Sequence, residues 1–287
     1  IVNVYNGAAE FADVDSDGDM DLMMTGNTSS PSATANLYIN DGTGNFTISS
    51  GTPFEASNSG DIDFGDIDGD SDLDLIMTGL DASGNTFSKL YLNDGMGIFT
   101  LVSGTSFTPV WISSTEFIDV DNDGDLDLLI CGANSSGAST TNLYENNGTG
   151  TFSLVAGVPF DNVQFGDIAF GDTDNDGDQD LLMTGITPTT ALYLNDGSGG
   201  FTDIIMDTDL PNRAFDSVTE FLDLDNDGDL DLYFSGMNDG GGIGEFTRIY
   251  TNDGSGSFTL LTNTDIATIG GFSCASGDID GDNDIDL

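Results

Sequence analysis

Short apolar runs closed by a glycine recur along this chain: Leu22-Met23-Met24-Thr25-Gly26, Leu75-Ile76-Met77-Thr78-Gly79 and Leu128-Leu129-Ile130-Cys131-Gly132. A run of about five residues with this composition suits a strand buried on both faces. Upstream lie Glu10-Phe11-Ala12, Glu116-Phe117-Ile118 and Glu220-Phe221-Leu222, which read as the strand before it. A third strand is predicted at Leu37-Tyr38, Leu90-Tyr91, Leu143-Tyr144, Leu192-Tyr193 and Ile249-Tyr250. A fourth begins at Phe46-Thr47, Phe99-Thr100, Phe152-Ser153, Phe201-Thr202 and Phe258-Thr259. Between the third and fourth stands Asn-Asp-Gly-x-Gly, as in Asn40-Asp41-Gly42-Thr43-Gly44. These residues accept positive φ and form a strong hairpin signal. No segment keeps a helical period, and helix caps are missing.

Between the first and second strands of every unit the chain becomes acidic. The first carboxylates of these turns are Asp13, Asp66, Asp119, Asp172, Asp223 and Asp278, at intervals of 53, 53, 53, 51 and 55 residues. Two motifs that keep one period define a repeat. Four-stranded antiparallel units of this length, without helices, predict an all-β fold and a β-propeller; solenoid repeats are shorter or helical. Five blades are complete, at 1–55, 56–108, 109–160, 161–211 and 212–265, and 266–287 begins a sixth. The chain thus reads as one propeller domain over 1–287, an incomplete ring that belongs to a seven-bladed one, with eight blades as the alternative.

Each turn reads D-x-D-x-D-G-x-x-D, or nearly so, as in Asp119-Val120-Asp121-Asn122-Asp123-Gly124-Asp125-Leu126-Asp127. In an extended segment alternate carboxylates cannot converge; a tight curl lets them, and a glycine free to take positive φ permits the curl. Oxygen donors without His or Cys suit a hard cation of calcium size, whereas Mg²⁺ demands a tighter octahedron. The candidate metal residues are Asp13, Asp15, Asp17, Asp19 and Asp21; Asp66, Asp68, Asp70, Asp72 and Asp74; and Asp119, Asp121, Asp123, Asp125 and Asp127. The later turns add Asp172, Asp174, Asp176, Asp178 and Asp180; Asp223, Asp225, Asp227, Asp229 and Asp231; and Asp278, Asp280, Asp282, Asp284 and Asp286. Up to six Ca²⁺ are expected, with side chains of positions 1, 3, 5 and 9 as ligands and a carbonyl from position 7. The alternative is a set of acidic turns without metal. An EF-hand would need a bidentate Glu at position 12, where the complete units have Met24, Met77, Ile130, Met183 and Phe234. The second and sixth turns carry glycine at position 4 instead of 6, which leaves Ser71 where positive φ is wanted. Serine tolerates that poorly, so the second site is expected to bind most weakly or with altered geometry.

Composition narrows the function classes. Against 51 acidic residues stand three basic ones, Lys89, Arg213 and Arg248, with no His and a net charge of −48. Such a surface repels nucleic acid and anionic membrane. Hydrophobic content of 37% still supports a packed core, and no apolar run approaches the roughly 20 residues of a membrane span. Cys131 and Cys274 are expected to be buried thiols, not a disulfide. Catalysis is not expected: without His, its activation of a nucleophile is excluded, and most carboxylates are engaged by the turns. Ile1 and the lack of a signal peptide suggest a mature or excised piece. Turns that need abundant calcium predict an extracellular location.

The run Phe117 to Gly132, followed by Asn142-Leu143-Tyr144 to Phe152, resembles the FG-GAP/VCBS repeat, and the bacterial VCBS form most closely. The Phe-Gly pair stands at Phe64-Gly65 and Phe170-Gly171, whereas Phe11, Phe117 and Phe221 precede Ala, Ile and Leu. The resemblance spans essentially the whole chain. It implies the propeller of integrin α-subunits and secreted bacterial proteins, calcium in the turns on one face, and partners on the opposite face. A carbohydrate or protein ligand is expected there, with adhesion as the role. The alternatives are a calcium-riveted subunit or spacer of a surface filament or larger secreted protein, or an accessory propeller of a polysaccharide-degrading enzyme. Loops between the second and third strands vary most, the usual place for binding on a fixed scaffold. The sole Trp, Trp111, sits in the turn entering the third unit, where it either stacks on a sugar or fills the gap between blades, in line with Tyr5 and Phe215.

Overall fold

The computed structural model describes residues 1–29, 32–186, 190–204, 210, 214–238, 244–262 and 276. The sixth turn, Asp278–Asp286, and Cys274 lie outside these residues. Among the described residues there are twenty strands and no helix, so none is long and apolar enough to cross a membrane. The chain divides into two compact units, residues 1–119 with 123–156, and residues 157–287 with 120–122.

The first unit opens with β1 (Ala9–Ala12), β2 (Asp21–Asn27), β3 (Ala33–Asn40) and β4 (Phe46–Ile48), an antiparallel sheet in chain order. The pattern repeats in β5 (Ile62–Gly65), β6 (Asp74–Leu80), β7 (Thr86–Leu92) and β8 (Thr100–Leu101), and in β9 (Val110–Ile118), β10 (Asp127–Asn134), β11 (Ser139–Asn146) and β12 (Phe152–Leu154). A single pairing, Phe87 with Val110, joins these two quartets into one eight-stranded sheet. The second unit repeats the quartet as β13 (Ile168–Gly171), β14 (Asp180–Met183), β15 (Ala191–Asn195) and β16 (Phe201–Ile204). It does so again as β17 (Phe215–Leu222), β18 (Asp231–Asn238), β19 (Gly244–Asn252) and β20 (Phe258–Leu260).

Strands β9 and β17 are longer than the sequence pattern suggests. Pairing of β9 with β10 shifts register between Cys131 and Ala133, and Gly132 stands at φ 152°. Across this bulge the ladder resumes, so Trp111 is a strand residue opposite Ala133 and half-buried, not part of a turn. Tyr5 occupies the matching place opposite Asn27, and Phe215 the place opposite Met237. Cys131 is buried in β10.

The apolar central strands form the core as their sequence dictates. Leu75, Ile76, Met77, Leu128, Leu129 and Ile130 are fully buried. The Leu-Tyr pair of the third strand does two jobs. Its leucine is buried, and its tyrosine accepts a backbone hydrogen bond from the segment that led into the same repeat: Glu55 N–H to Tyr91 at 3.0 Å, Thr108 N–H to Tyr144 at 2.8 Å and Asp161 N–H to Tyr193 at 3.0 Å. A buried ring with a satisfied hydroxyl thereby holds the incoming connection against the sheet.

Neighbouring first strands are stapled by carboxylates. Asp61 Oδ2 accepts the Thr115 N–H at 2.9 Å, Asp63 accepts the Phe117 N–H, and Asp167 Oδ2 accepts the Thr219 N–H at 2.9 Å. Glu10 of β1 meets Asp63 of β5. Burial, then the charges of Asp63 and Asp61, push the Glu10 carboxyl up to about 9, and burial pushes Asp63 up to about 7. Two carboxyl groups in contact and out of water share a proton. The folded protein therefore holds protons that the unfolded chain releases, and stability falls as pH rises from the ordinary Glu value of 4.5 towards about 9. Urea melts from pH 5 to 9 test this: Glu10→Gln is expected to flatten the decline and raise stability at the alkaline end. A parent and variant with parallel pH profiles would remove the shared proton.

Candidate metal centre

The acidic turns fold on their own backbone. In the first, Asp13 accepts the N–H groups of Asp17 and Gly18 at 3.1 and 3.0 Å, and Asp17 accepts that of Asp19 at 3.0 Å. The same bonds recur at Asp119, Asp172 and Asp223. The curl needs positive φ at two places, not one. Position 6 is Gly18, Gly124, Gly177 and Gly228 at φ 92–97°, and position 4 is Ser16, Asn122, Asn175 and Asn226 at φ 57–60°. The second turn exchanges the two, with Gly69 at φ 78° and Ser71 at φ 75°. Its Asp66 gains the Gly69 N–H as a further donor. The expected change of geometry is thus a swap of residues within one backbone shape.

This curl brings carboxylates together. In four turns positions 1, 3 and 5 form the group: Asp13, Asp15 and Asp17; Asp66, Asp68 and Asp70; Asp172, Asp174 and Asp176; Asp223, Asp225 and Asp227. In the third turn the group is Asp119, Asp121 and Asp127. Within each, one oxygen from every residue lies within 4.8 Å of the others. Position 3 is the informative one. Asp15 Oδ1, Asp68 Oδ1 and Asp174 Oδ1 are buried and accept no hydrogen bond. Burial raises all three carboxyl groups above their ordinary value, and neighbouring carboxylates add to it: Asp17 and Asp13 around Asp15, Asp70 and Asp66 around Asp68, Asp180 and Asp176 around Asp174. Orphaned, crowded oxygens with no cationic side chain paired to them among the described residues fit a hard cation.

Positions 7 and 9 have other duties. The ninth carboxylates, Asp21, Asp74, Asp127, Asp180 and Asp231, are at most 1% exposed. One oxygen of Asp180 accepts the Thr173 N–H at 3.0 Å and the other the Asn195 N–H at 2.8 Å; Asp21, Asp74 and Asp231 are held by the corresponding pairs. Asp74 is raised to about 7 by burial and by Asp68 and Asp70, against the pull of those two N–H donors. A second lone pair remains on each oxygen of Asp21, Asp74 and Asp231, whereas one oxygen of Asp180 also accepts the Thr173 hydroxyl; of the five, only Asp127 joins a cation-sized group. The seventh carboxylates, Asp19, Asp72, Asp125, Asp178 and Asp229, lie where a Cβ on Gly42, Gly95, Gly148, Gly197 or Gly254 would stand. The hairpin glycine is therefore required twice, for φ near 70° and for clearance. Asp178 and Asp229 also accept from Asn122 and Asn175 of the preceding turn, both at 2.7 Å.

Sequence reasoning missed the asparagine that ends the third strand. Asn93, Asn146, Asn195 and Asn252 each donate a backbone N–H or side-chain amide to their own turn, and the amide also reaches the second residue of the preceding turn: Val14, Ile67, Val120 and Thr173, at 2.7–2.8 Å. Its recurrence at one place in every complete repeat was the available signal.

Comparison with known proteins agrees with the repeat. The FG-GAP-like repeat model matches residues 7–77, 78–130, 119–183, 172–234 and 223–287. Among curated proteins none matches. Among solved structures the chain is similar to the V. cholerae biofilm matrix protein Bap1, at 15% identity and a TM-score of 0.38, covering 91% of this chain and 39% of that one. The chain thus spans about two fifths of that protein's length.

Separate duties within one turn give separable mutants. Asp180→Asn should lower unfolding free energy by about 1–3 kcal/mol with or without a divalent cation, because it weakens the reception of two buried N–H groups. Asp174→Asn should leave the cation-free protein unharmed or firmer and remove only cation-dependent stability. Urea melts with Ca²⁺ and with EDTA decide; equal cation dependence in the two variants would contradict this division.

Proposed function

We propose that this chain, which belongs to the FG-GAP-like repeat family, is a calcium-stabilised β-propeller segment working outside the cell as a binding or structural module. The observation that carries the calcium reading is the recurrence of one cation-sized, all-oxygen group in each of the five described turns, three of which hold a buried oxygen, on Asp15, Asp68 or Asp174, that accepts no hydrogen bond among the described residues. Ca²⁺ accepts six to eight oxygen ligands in flexible geometry, and carbonyls and water can complete what three carboxylates begin. The propeller reading rests on four-stranded antiparallel sheets repeated in chain order. Calcium sites that depend on external concentrations, together with 51 acidic residues, support an extracellular setting.

No catalytic role is assigned. Of the three basic side chains, Lys89 is paired with Glu55 at 2.6 Å and lies over the Phe87 ring, and Arg248 lies against Phe246 and Tyr250. A carbohydrate or protein ligand would meet the loops between second and third strands, away from the acidic turns. Trp111, half-buried in β9, retains part of its ring surface for such a contact. Nucleic acid is disfavoured by the net charge of −48.

Two measurements test the proposal. Calcium bound only by the folded form stabilises it by about 2.7 kcal/mol per site at 100 Kd, so melting temperature should rise steeply with Ca²⁺ and drop with a chelator. An unchanged melt would remove the structural role of the turns. A glycan array in calcium separates ligand binding from scaffolding: sugar binding lost in Trp111→Ala supports the former, and silence across the array favours a riveted spacer.

A further inference from the structure

Two Asn-Gly pairs stand in the chain, Asn6-Gly7 and Asn147-Gly148. The second occupies a place where the other complete repeats carry aspartate: Asp41-Gly42, Asp94-Gly95, Asp196-Gly197 and Asp253-Gly254. It lies in the hairpin between β11 and β12, outside the acidic turns. Asparagine before glycine is open to attack by its own backbone, because no Cβ shields the nitrogen that attacks and the glycine backbone turns freely. What the fold does to that nitrogen, and to the carbonyl it attacks, differs between the two pairs.

At Asn147 both are prepared. Its side-chain Oδ1 accepts the Thr149 N–H at 3.1 Å and the Thr149 hydroxyl at 2.7 Å. Attack on Cγ moves negative charge onto this oxygen, and donors already aimed where charge develops are what an oxyanion hole supplies. The nucleophile is also unengaged. In the first and fourth hairpins the matching N–H groups, of Gly42 and Gly197, donate to Asn40 and Asn195 at 3.2 Å. In the third, Asn146 Oδ1 takes the Asn147 N–H at 2.9 Å, and among the described residues no acceptor holds the Gly148 N–H. Asn147 is exposed, so water reaches it. Asn6-Gly7 differs at both points. A Cβ on Gly7 would stand 2.0 Å from Thr25 O, so this glycine is laid against β2, and among the described residues no donor reaches the Asn6 side chain.

We propose that Asn147-Gly148 is a self-modifying site, at which the folded hairpin deamidates Asn147 with water as the only co-reactant. The Gly148 nitrogen gives its proton to solvent and bonds to Asn147 Cγ. The oxyanion held by Thr149 then collapses, the Cγ–Nδ2 bond breaks, and the side-chain nitrogen leaves with a solvent proton as ammonia. Water opens the cyclic imide that remains, and nothing is oxidised or reduced. Opening at Cγ gives aspartate; opening at the Asn147 backbone carbonyl gives isoaspartate, with an extra methylene in the main chain.

The two products have different consequences. The hairpin accepts aspartate as it stands, since Asp41, Asp196 and Asp253 receive the same pair of backbone and hydroxyl bonds from Thr43, Ser198 and Ser255, at 3.0–3.1 and 2.6–2.7 Å. Isoaspartate lengthens the path between Asn146 and Gly150, which both donate to Ile67 O of the preceding turn, at 2.8 and 2.9 Å. The site thus adds a negative charge with time, and on one branch it loosens the hold of the third sheet on the second turn.

The test incubates the whole chain in Ca²⁺ at slightly alkaline pH and follows both pairs by peptide mapping and mass spectrometry, with Asn147→Asp as the standard for the aspartate product. The expected result is deamidation at Asn147 several-fold faster than at Asn6 in the folded protein, with the difference lost in urea. Thr149→Val removes the hydroxyl donor and should slow Asn147 several-fold in the folded protein while leaving Asn6 unchanged. Thr149→Ser, which keeps a hydroxyl as Ser198 and Ser255 do, should retain the rate. Equal rates at the two pairs in the folded protein overturn the proposal. So does a difference that persists in urea, because the neighbouring sequence and not the fold would then set it. A folded-state rate that Thr149→Val does not alter overturns it too. Calcium-dependent melting is read separately, so none of these outcomes bears on the acidic turns.

Discussion

The structure depends on a buried carboxylate that has given up water for backbone. The ninth residue of each described acidic turn is at most 1% exposed, a position where an ionised group survives only if its oxygens are hydrogen-bonded. In the second repeat Asp74 takes the N–H of Ile67, near the start of the turn, and of Asn93, at the end of the third strand. One side chain thus joins the turn to the hairpin beyond it. The asparagine adds the third link, its amide spanning from its own turn to Val14 in the repeat before. Turn, hairpin and preceding sheet are fixed by one short chain of bonds, and that is why two sequence motifs keep a common period.

With the ninth carboxylate so employed, the burden of like charge falls on positions 1, 3 and 5. Each first carboxylate is stabilised by the N–H groups of the curl, whereas Asp15, Asp68 and Asp174 at position 3 each keep one buried oxygen that accepts no hydrogen bond among the described residues. The raised pKa of Asp15, Asp68 and Asp174 and the orphaned oxygens at the same residues describe one condition, carboxylates taken out of water and crowded by like charge. A lysine could have relieved it, but of the described basic residues Lys89 is paired with Glu55 and Arg248 lies against Phe246 and Tyr250. Among the described residues Glu10 and Asp63 relieve their contact by raised proton affinity, while the turns gather oxygens that could hold a metal ion.

Much of this was legible in the sequence. Apolar runs of about five residues gave the central strands, and the hairpin signal located the start of the fourth strands within a residue, whereas β3, β7, β11 and β19 begin four or five residues before the Leu-Tyr or Ile-Tyr pair. In each of the five described turns three of the five acidic residues come together. What was not legible was the division of labour among them, because every position carries the same side chain. Aspartate at position 3 and aspartate at position 9 differ only in what the folded backbone brings to them. The bulge at Gly132 was hidden for a related reason: a glycine after an apolar run marks a strand end as readily as a kink through which pairing continues. Trp111 was accordingly placed in a turn when it stands in β9 opposite Ala133.

The second turn shows how far a local rule carries. Glycine at position 4 and serine at position 6 suggested a site that binds most weakly or has altered geometry, on the ground that serine resists positive φ. The backbone nevertheless adopts the common shape, Ser71 at φ 75°, and Asp66, Asp68 and Asp70 converge as their counterparts do. The cost appears elsewhere. Position 4 in the third and fourth turns is an asparagine whose amide donates to Asp178 and Asp229 of the following turn. Gly69 has no side chain with which to do the same for Asp125. The exchange therefore keeps the convergence of carboxylates within the turn and removes a tie between turns, which makes position 4 a residue of the packing between sheets more than of the acidic group.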